Sequence, residues 1–119
     1  MTKEQCIHNF WSGFGWKAYD ETSVPDNAEL PRITYELSTD SFGNEIAQTA
    51  SLWVRSTSWK SITDKADEIY AAISRGGKIL HYTGGALWIR RGDPWAQRMA
   101  DDDDTLRRIV LNVSVEFID

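Results

Sequence analysis

The sequence predicts an α+β fold, a mainly antiparallel β-sheet with two α-helices packed on one face. Three observations predict it. Apolar residues recur at helical spacing in only two segments, near 2–16 and within 56–77, and each helix shows a single apolar stripe. Alternation with a period of two runs through the other ordered stretches. The strands also follow one another through short turns, with the helices grouped, and that order favours an antiparallel sheet over a parallel one. At 119 residues the chain makes one domain with one core. It divides into an N-terminal helix over 2–16 and a unit of sheet plus central helix over 32–119.

Ile7, Phe10, Trp11 and Phe14 stand at i, i+3, i+4 and i+7, the stripe of an amphipathic helix. Gly13 and Gly15 weaken its far end, so it stops near Trp16. Residues 19–31, "YDETSVPDNAELP", are acidic and punctuated by Pro25 and Pro31, and they read as a surface loop. In "RITYELST", residues 32–39, Ile33, Tyr35 and Leu37 alternate with Thr34 and Glu36, giving a half-buried strand. "DSFGNE" supplies a turn or flexible hairpin tip, and "AQTASLWVRS" a second strand that pairs antiparallel with the first.

The segment "STSWKSITDKADEIYAAISRGG" carries the central helix, with Ile62, Ala66, Ile69, Tyr70 and Ile73 on one face. Ser58 or Ser61 caps its start, and Gly76 and Gly77 stand where a left-handed glycine ends a helix. "KILHYT", the turn glycines Gly84 and Gly85, and "ALWIRRG" form a hairpin. Residues 92–104 read as a loop, longer than most. In the last strand Ile109, Leu111, Val113, Val115 and Phe117 alternate with Val110, Asn112, Ser114 and Glu116.

Composition narrows the functional classes. Hydrophobic residues make up 41% and charged ones 26%, ordinary for a globular protein. A net charge of −5 is not that of a chain built to hug phosphate backbones, so no specific nucleic-acid binding is expected. The single cysteine, Cys6, reads as a small buried hydrophobe, and no apolar run approaches the roughly 18 residues of a membrane span. A soluble protein made in a cytoplasm is expected. Trp11, Trp16, Trp53, Trp59, Trp88 and Trp95 are more indole than a core this size hides, so some belong at half-exposed or interface positions.

The stretch "QRMADDDDTLRR" sets Asp101, Asp102, Asp103 and Asp104 between Arg98 and the pair Arg107 and Arg108. A calcium loop spaces its ligands at alternate positions around a glycine, and this run has neither feature, so no metal is expected there. Over residues 90–108, Arg90, Arg91, Arg98, Arg107 and Arg108 match Asp93 and the four aspartates in number. Opposed blocks of this kind suit pairing between copies or partners, or else intramolecular surface pairs of little individual worth. Trp88 lies on the face opposite Leu87 and Ile89, and Trp95 lies in the loop. These residues, with Phe42 at the hairpin tip, are the candidate interface. His8 and His81 show no zinc spacing, no glycine-rich phosphate cradle occurs, and no catalytic residue or cofactor site is expected. An enzyme would need His8 or His81 to meet carboxylates in a cleft.

The layout of "LPRITYELSTDSFGNE", "LWVRSTSWKSITDKADEIYAAI" and "LWIRRGDPWAQRMADDDDTLRRIVLNVSVEFID" resembles the tail terminator, or tail completion, proteins of long-tailed bacteriophages and prophages, also called minor capsid proteins. The likeness covers about residues 30–119, and the N-terminal helix fits by position only. It implies an α+β sandwich that assembles as a homo-oligomeric ring, usually a hexamer, on the completed tail tube. Such a ring stops tube growth and offers its other face to the head connector or stopper protein. Its partners are then itself, the tail tube protein and that connector, its location the virion tail after synthesis in the bacterial cytoplasm, and no catalysis or cofactor is implied. The aspartate run is no part of the family's pattern. A head-completion adaptor, or a small ligand-binding module using Trp88 and Trp95 as stacking platforms, are the alternatives.

Overall fold

A computed structural model describes residues 1–39 and 44–118. Its elements are α1 (Lys3–Ser12), β1 (Lys17–Asp20), β2 (Arg32–Tyr35), β3 (Glu45–Arg55), α2 (Lys60–Ala72), β4 (Lys78–Tyr82), β5 (Gly85–Met99) and β6 (Leu106–Ile118). The strands make one six-stranded sheet in the order β1-β2-β3-β6-β5-β4. All neighbours are antiparallel except β1 and β2. The fold is α+β with sheet predominant, as the sequence predicts.

Each helix starts and stops for a local reason. The Thr2 hydroxyl accepts from the Gln5 amide at 3.1 Å while the Gln5 side chain accepts from the Thr2 amide at 2.8 Å, a reciprocal cap that satisfies two otherwise orphaned donors. α1 ends at Ser12, four residues short of the expected Trp16, because the Gly13 amide already turns back to the Phe10 carbonyl. Trp59 occupies the cap of α2 without a side-chain bond, and Ser58 instead accepts from the Lys60 amide at 3.1 Å. Ile62, Ala66, Ile69 and Ile73 are buried as expected, whereas Tyr70 is 44% exposed.

The core lies between the helices and one face of the sheet. Ile109, Leu111, Val113, Val115 and Phe117 of β6 point into it, with Leu87 and Ile89 of β5, Ala50 and Leu52 of β3, and Ile33 and Tyr35 of β2. α2 packs on β3, β5 and β6 at the centre. α1 packs on β1 and β2 near one edge and on β4 at the other, so the sheet curves far enough for one helix to reach both edges. The ties are specific: the Met1 carbonyl accepts from the Thr83 amide beside β4, and the His8 Nδ1 lies 2.9 Å from the Tyr35 hydroxyl of β2. Cys6 is buried and free, and desolvation raises its thiol pKa, so it packs as the expected small hydrophobe.

Three expected boundaries are corrected. Residues 17–20, half of which fall in the expected surface loop 19–31, form β1, paired in parallel with β2 from Lys17↔Arg32 to Asp20↔Tyr35. Four residues are too few to display alternation, and their partner lies beyond an acidic, proline-bearing connection. Residues 92–99, expected in a loop, belong to β5, whose register shifts between Arg91 and Ala96. The bulge takes in Pro94, which could not donate to a regular ladder, and the Asn112 amide secures it by donating to the Pro94 carbonyl at 3.0 Å. β3 likewise begins at Glu45, at the end of the expected hairpin tip 40–45, whereas Phe42 of that tip lies outside the described residues.

Candidate assembly interface

Strand alternation sorts the charged and aromatic side chains onto two faces. Register places Trp53 of β3 directly between Arg32 of β2 and Arg108 of β6, all on the face away from the helices. The Arg108 guanidinium lies 4.5 Å and that of Arg32 5.8 Å from the Trp53 ring centre. Hydrogen bonds fix the parts: the indole N–H donates to the Thr34 hydroxyl at 3.0 Å, Arg108 to the Ser51 hydroxyl at 3.0 Å, and Arg32 to the Ala28 carbonyl at 3.0 Å. Each cation held over an aromatic face in this way contributes about 0.5–1 kcal/mol.

Further along the same face the Arg90 guanidinium sits 4.1 Å from the Trp88 ring centre. It lies 3.2 Å from Glu45 and 3.8 Å from Glu116. Its Nη2 forms no aligned hydrogen bond, so the contact is a charge pair and not a bidentate bridge. The Trp88 N–H donates to the Gly76 carbonyl at 2.9 Å. With one ring face covered by Arg90 and its N–H engaged, Trp88 is a fixed, half-buried part of the sheet surface.

The helix side carries a second set at the end where β5 stops and β6 starts. Arg98 and Arg107 lie 4.7 and 5.1 Å from the ring centre of Trp59, just before α2, and Arg107 donates to the Thr57 carbonyl at 3.0 Å. Nearby, Arg91 stacks 3.5 Å from the Tyr70 ring centre and donates to the Tyr70 carbonyl at 2.9 Å. Trp95 meets that tyrosine edge-on at 5.7 Å.

The aspartates form the turn between β5 and β6. Asp103 is its anchor. Its carboxylate accepts from the Thr105 hydroxyl at 2.7 Å, the Thr105 amide at 2.9 Å and the Arg55 guanidinium at 2.9 Å. Asp101 accepts from the Asp103 amide at 2.9 Å, and the Ser56 amide ties the turn to β3 through the Thr105 carbonyl at 2.7 Å. The Thr105 hydroxyl first and Arg55 second hold the Asp103 carboxyl well below its ordinary range, at about 2. The sign follows: this contribution to stability is complete above the unfolded value of 3.8 and is lost as pH falls through about 2. Carbon-detected NMR titration is expected to give an Asp103 midpoint near 2, moved towards 3.8 by Thr105→Val. A midpoint unmoved by that change would remove the hydroxyl from the account.

The candidate residues are thus not gathered into one patch. Trp88, Arg90 and Arg108 face away from the helices, Arg91, Arg98 and Arg107 face the helix side, Trp95 sits beside Tyr70, and Asp101 to Asp104 cap one end. Sequence reasoning missed Arg32, Arg55, Trp53, Trp59 and Tyr70, which hold the arginines and the turn in place. For Arg32, Trp53 and Arg55 the signal is the β2–β3–β6 register, which no local pattern encodes, and for Trp59 and Tyr70 it is the packing of α2 on the sheet. Among the described residues, none of Arg90, Arg91, Arg98, Arg107 and Arg108 forms an ion pair with the aspartate run, and the run's partner is Arg55.

Other polar chemistry is sparse. The His8 ring bridges the Tyr35 hydroxyl and the Ser12 hydroxyl, at 2.9 and 3.2 Å, beside an open groove that includes Trp16 and Lys17. No group of three or more His, Cys, Asp or Glu side chains is placed to hold a metal ion, and no helix is long and apolar enough to cross a membrane, among the described residues.

Comparison with known proteins establishes the fold. A chain of the virion of a native gene transfer agent (GTA) particle superposes with a TM-score of 0.71, covering 98% of this chain and 95% of that one at 14% identity. The two chains share the whole architecture at a level of identity that speaks for fold alone. No family model and no curated protein matches the sequence.

Proposed function

We propose that this chain is a structural protein of a phage-type virion, a tail terminator that caps the tail tube as a homo-oligomeric ring, a hexamer, and joins it to the head connector. The observation that carries the reading is the fold shared from end to end with a chain of a gene transfer agent virion. The segment layout of residues 30–119 and a half-exposed sheet face rich in arginine and aromatic groups support it. The job needs shape, loops and fixed charges, and neither catalysis nor a cofactor enters. Its partners are other copies of the chain, the tube protein and a connector or stopper protein, with the virion tail as its destination after synthesis in a bacterial cytoplasm.

The same likeness serves a head-completion adaptor, so the test separates the two. Purified protein is mixed with polymerising tail tubes and, in parallel, with tail-less heads. Tubes that stop growing and show an added ring at one end by negative-stain microscopy are expected. Binding to heads alone would transfer the chain to the adaptor class, and binding to neither would remove it from the head-to-tail junction.

A further inference from the structure

One end of the sheet holds an unbalanced set of charges. Arg32 and Arg108 flank Trp53 on the face away from the helices, and Arg98 and Arg107 share Trp59 on the helix side, where β3 ends and β6 begins. None of the four has a carboxylate partner among the described residues. Their hydrogen bonds go to the carbonyls of Ala28 and Thr57 and to the Ser51 hydroxyl, while the Arg98 side chain is exposed and forms no hydrogen bond among the described residues. The Nε atoms of Arg32 and Arg107 are buried without a partner. Guanidinium groups stacked on indoles have already lost the side-chain freedom that makes surface ion pairs weak, so they meet an incoming carboxylate pre-organised.

The same end carries the complementary charge. Asp101, Asp102 and Asp104 are exposed and have no cationic partner among the described residues. The Asp103 anchor to Arg55 and Thr105 fixes the turn, which keeps these three carboxylates from folding back onto the arginines beside them. A polyphosphate laid on the arginines would lie alongside that acidic turn, on a protein whose net charge is −5. An acidic polypeptide segment fits better, and the chain itself presents one.

We propose that the Arg32–Trp53–Arg108 set, on the face away from the helices, is a docking surface for the Asp101–Asp104 turn of a second copy of this chain. The proposal deepens the assembly reading, on which it rests for the presence of a neighbouring copy, and it assigns that contact its chemistry. The turn of one copy meeting the arginine face of the next is a heterologous contact, the kind that repeats around a ring.

Charge reversal tests it without reference to tubes or heads. One variant carries Asp101→Lys, Asp102→Lys and Asp104→Lys, which spare Asp103, and the other carries Arg32→Glu and Arg108→Glu. Sedimentation velocity over a concentration series at low ionic strength is expected to show wild-type self-association that weakens with salt. Each variant alone should associate at least about tenfold more weakly, and an equimolar mixture should recover association. Circular dichroism melts check folding, and the milder pair Asp101→Asn/Asp102→Asn/Asp104→Asn and Arg108→Gln replaces a variant that fails to fold. A wild type monomeric to its solubility limit, or a mixture no stronger than its components, would overturn the proposal. Salt-sensitive binding of duplex DNA abolished by Arg32→Glu/Arg108→Glu would overturn it in favour of phosphate. A failure to cap tubes with these contacts intact would count against the tail reading alone.

Discussion

Phe117→Ala is expected to destabilise the protein by about 3–5 kcal/mol, the range for deleting a fully buried ring. Phe117 is 0% exposed and sits on β6, a central strand, opposite Leu87. The Tyr82 ring meets it at 6.4 Å, and the Lys3 ammonium lies 5.0 Å above its centre. One substitution therefore opens a cavity shared by β6, β5, the end of β4 and the first turn of α1. Domains of this size are stable by only about 5–15 kcal/mol, so the variant sits near the threshold of folding. Urea denaturation should show a lower midpoint with an unchanged slope. Phe117→Leu, which keeps most of the volume, should recover all but about 1.5 kcal/mol. A loss below about 1 kcal/mol for the alanine variant would mean that this end of the core relaxes to fill the space.

The second large effect comes from a residue with no side chain. Gly77 has φ of +85°, and a Cβ there would stand 2.2 Å from the Trp88 Nε1 and 2.8 Å from both the Arg90 Cγ and the Ile89 carbonyl. Alanine would add the left-handed backbone cost and also push Trp88 off the Gly76 carbonyl and Arg90 off the Trp88 ring. Together these amount to about 2–4 kcal/mol. The damage should be local in kind, since Lys78↔Ile89 begins the β4–β5 pairing at the next residue, so Trp88 emission should shift towards that of exposed indole. Gly76→Ala is the control: nothing lies within 4 Å of its Cβ, and it should stay within about 0.5 kcal/mol of wild type. Equal effects at the two positions would refute the steric explanation.

The contrast between these positions shows what a sequence carries. Strong periodicity made α1, α2 and β6 legible, because one-sided burial imprints itself on ten or more consecutive residues. β1 left no such imprint: in its four residues only Ala18 is buried, and its partner lies across an acidic connection. The second half of β5 was hidden by Pro94, a residue that ordinarily ends strands and here sits within a register shift. The site divides the same way. The opposed charges of residues 90–108 could be counted from the sequence. That Asp103 answers to Arg55, and that Trp53 serves two arginines, depends on register between strands tens of residues apart, and the two arginines on Trp59 depend on how α2 packs on the sheet.

The reach of α1 to both edges of the sheet has a thermodynamic consequence. β1 and β4 stand five places apart in the strand order, yet the same ten-residue helix packs on each. Detaching that helix withdraws support from both in a single event, so two margins with no ladder in common open as one cooperative unit. The free energy of seating Ile7, Phe10 and Trp11 is therefore a latch common to residues 17–20 and 78–82. Whatever strengthens or loosens that latch at one margin is felt at the other without passing through the four strands between them.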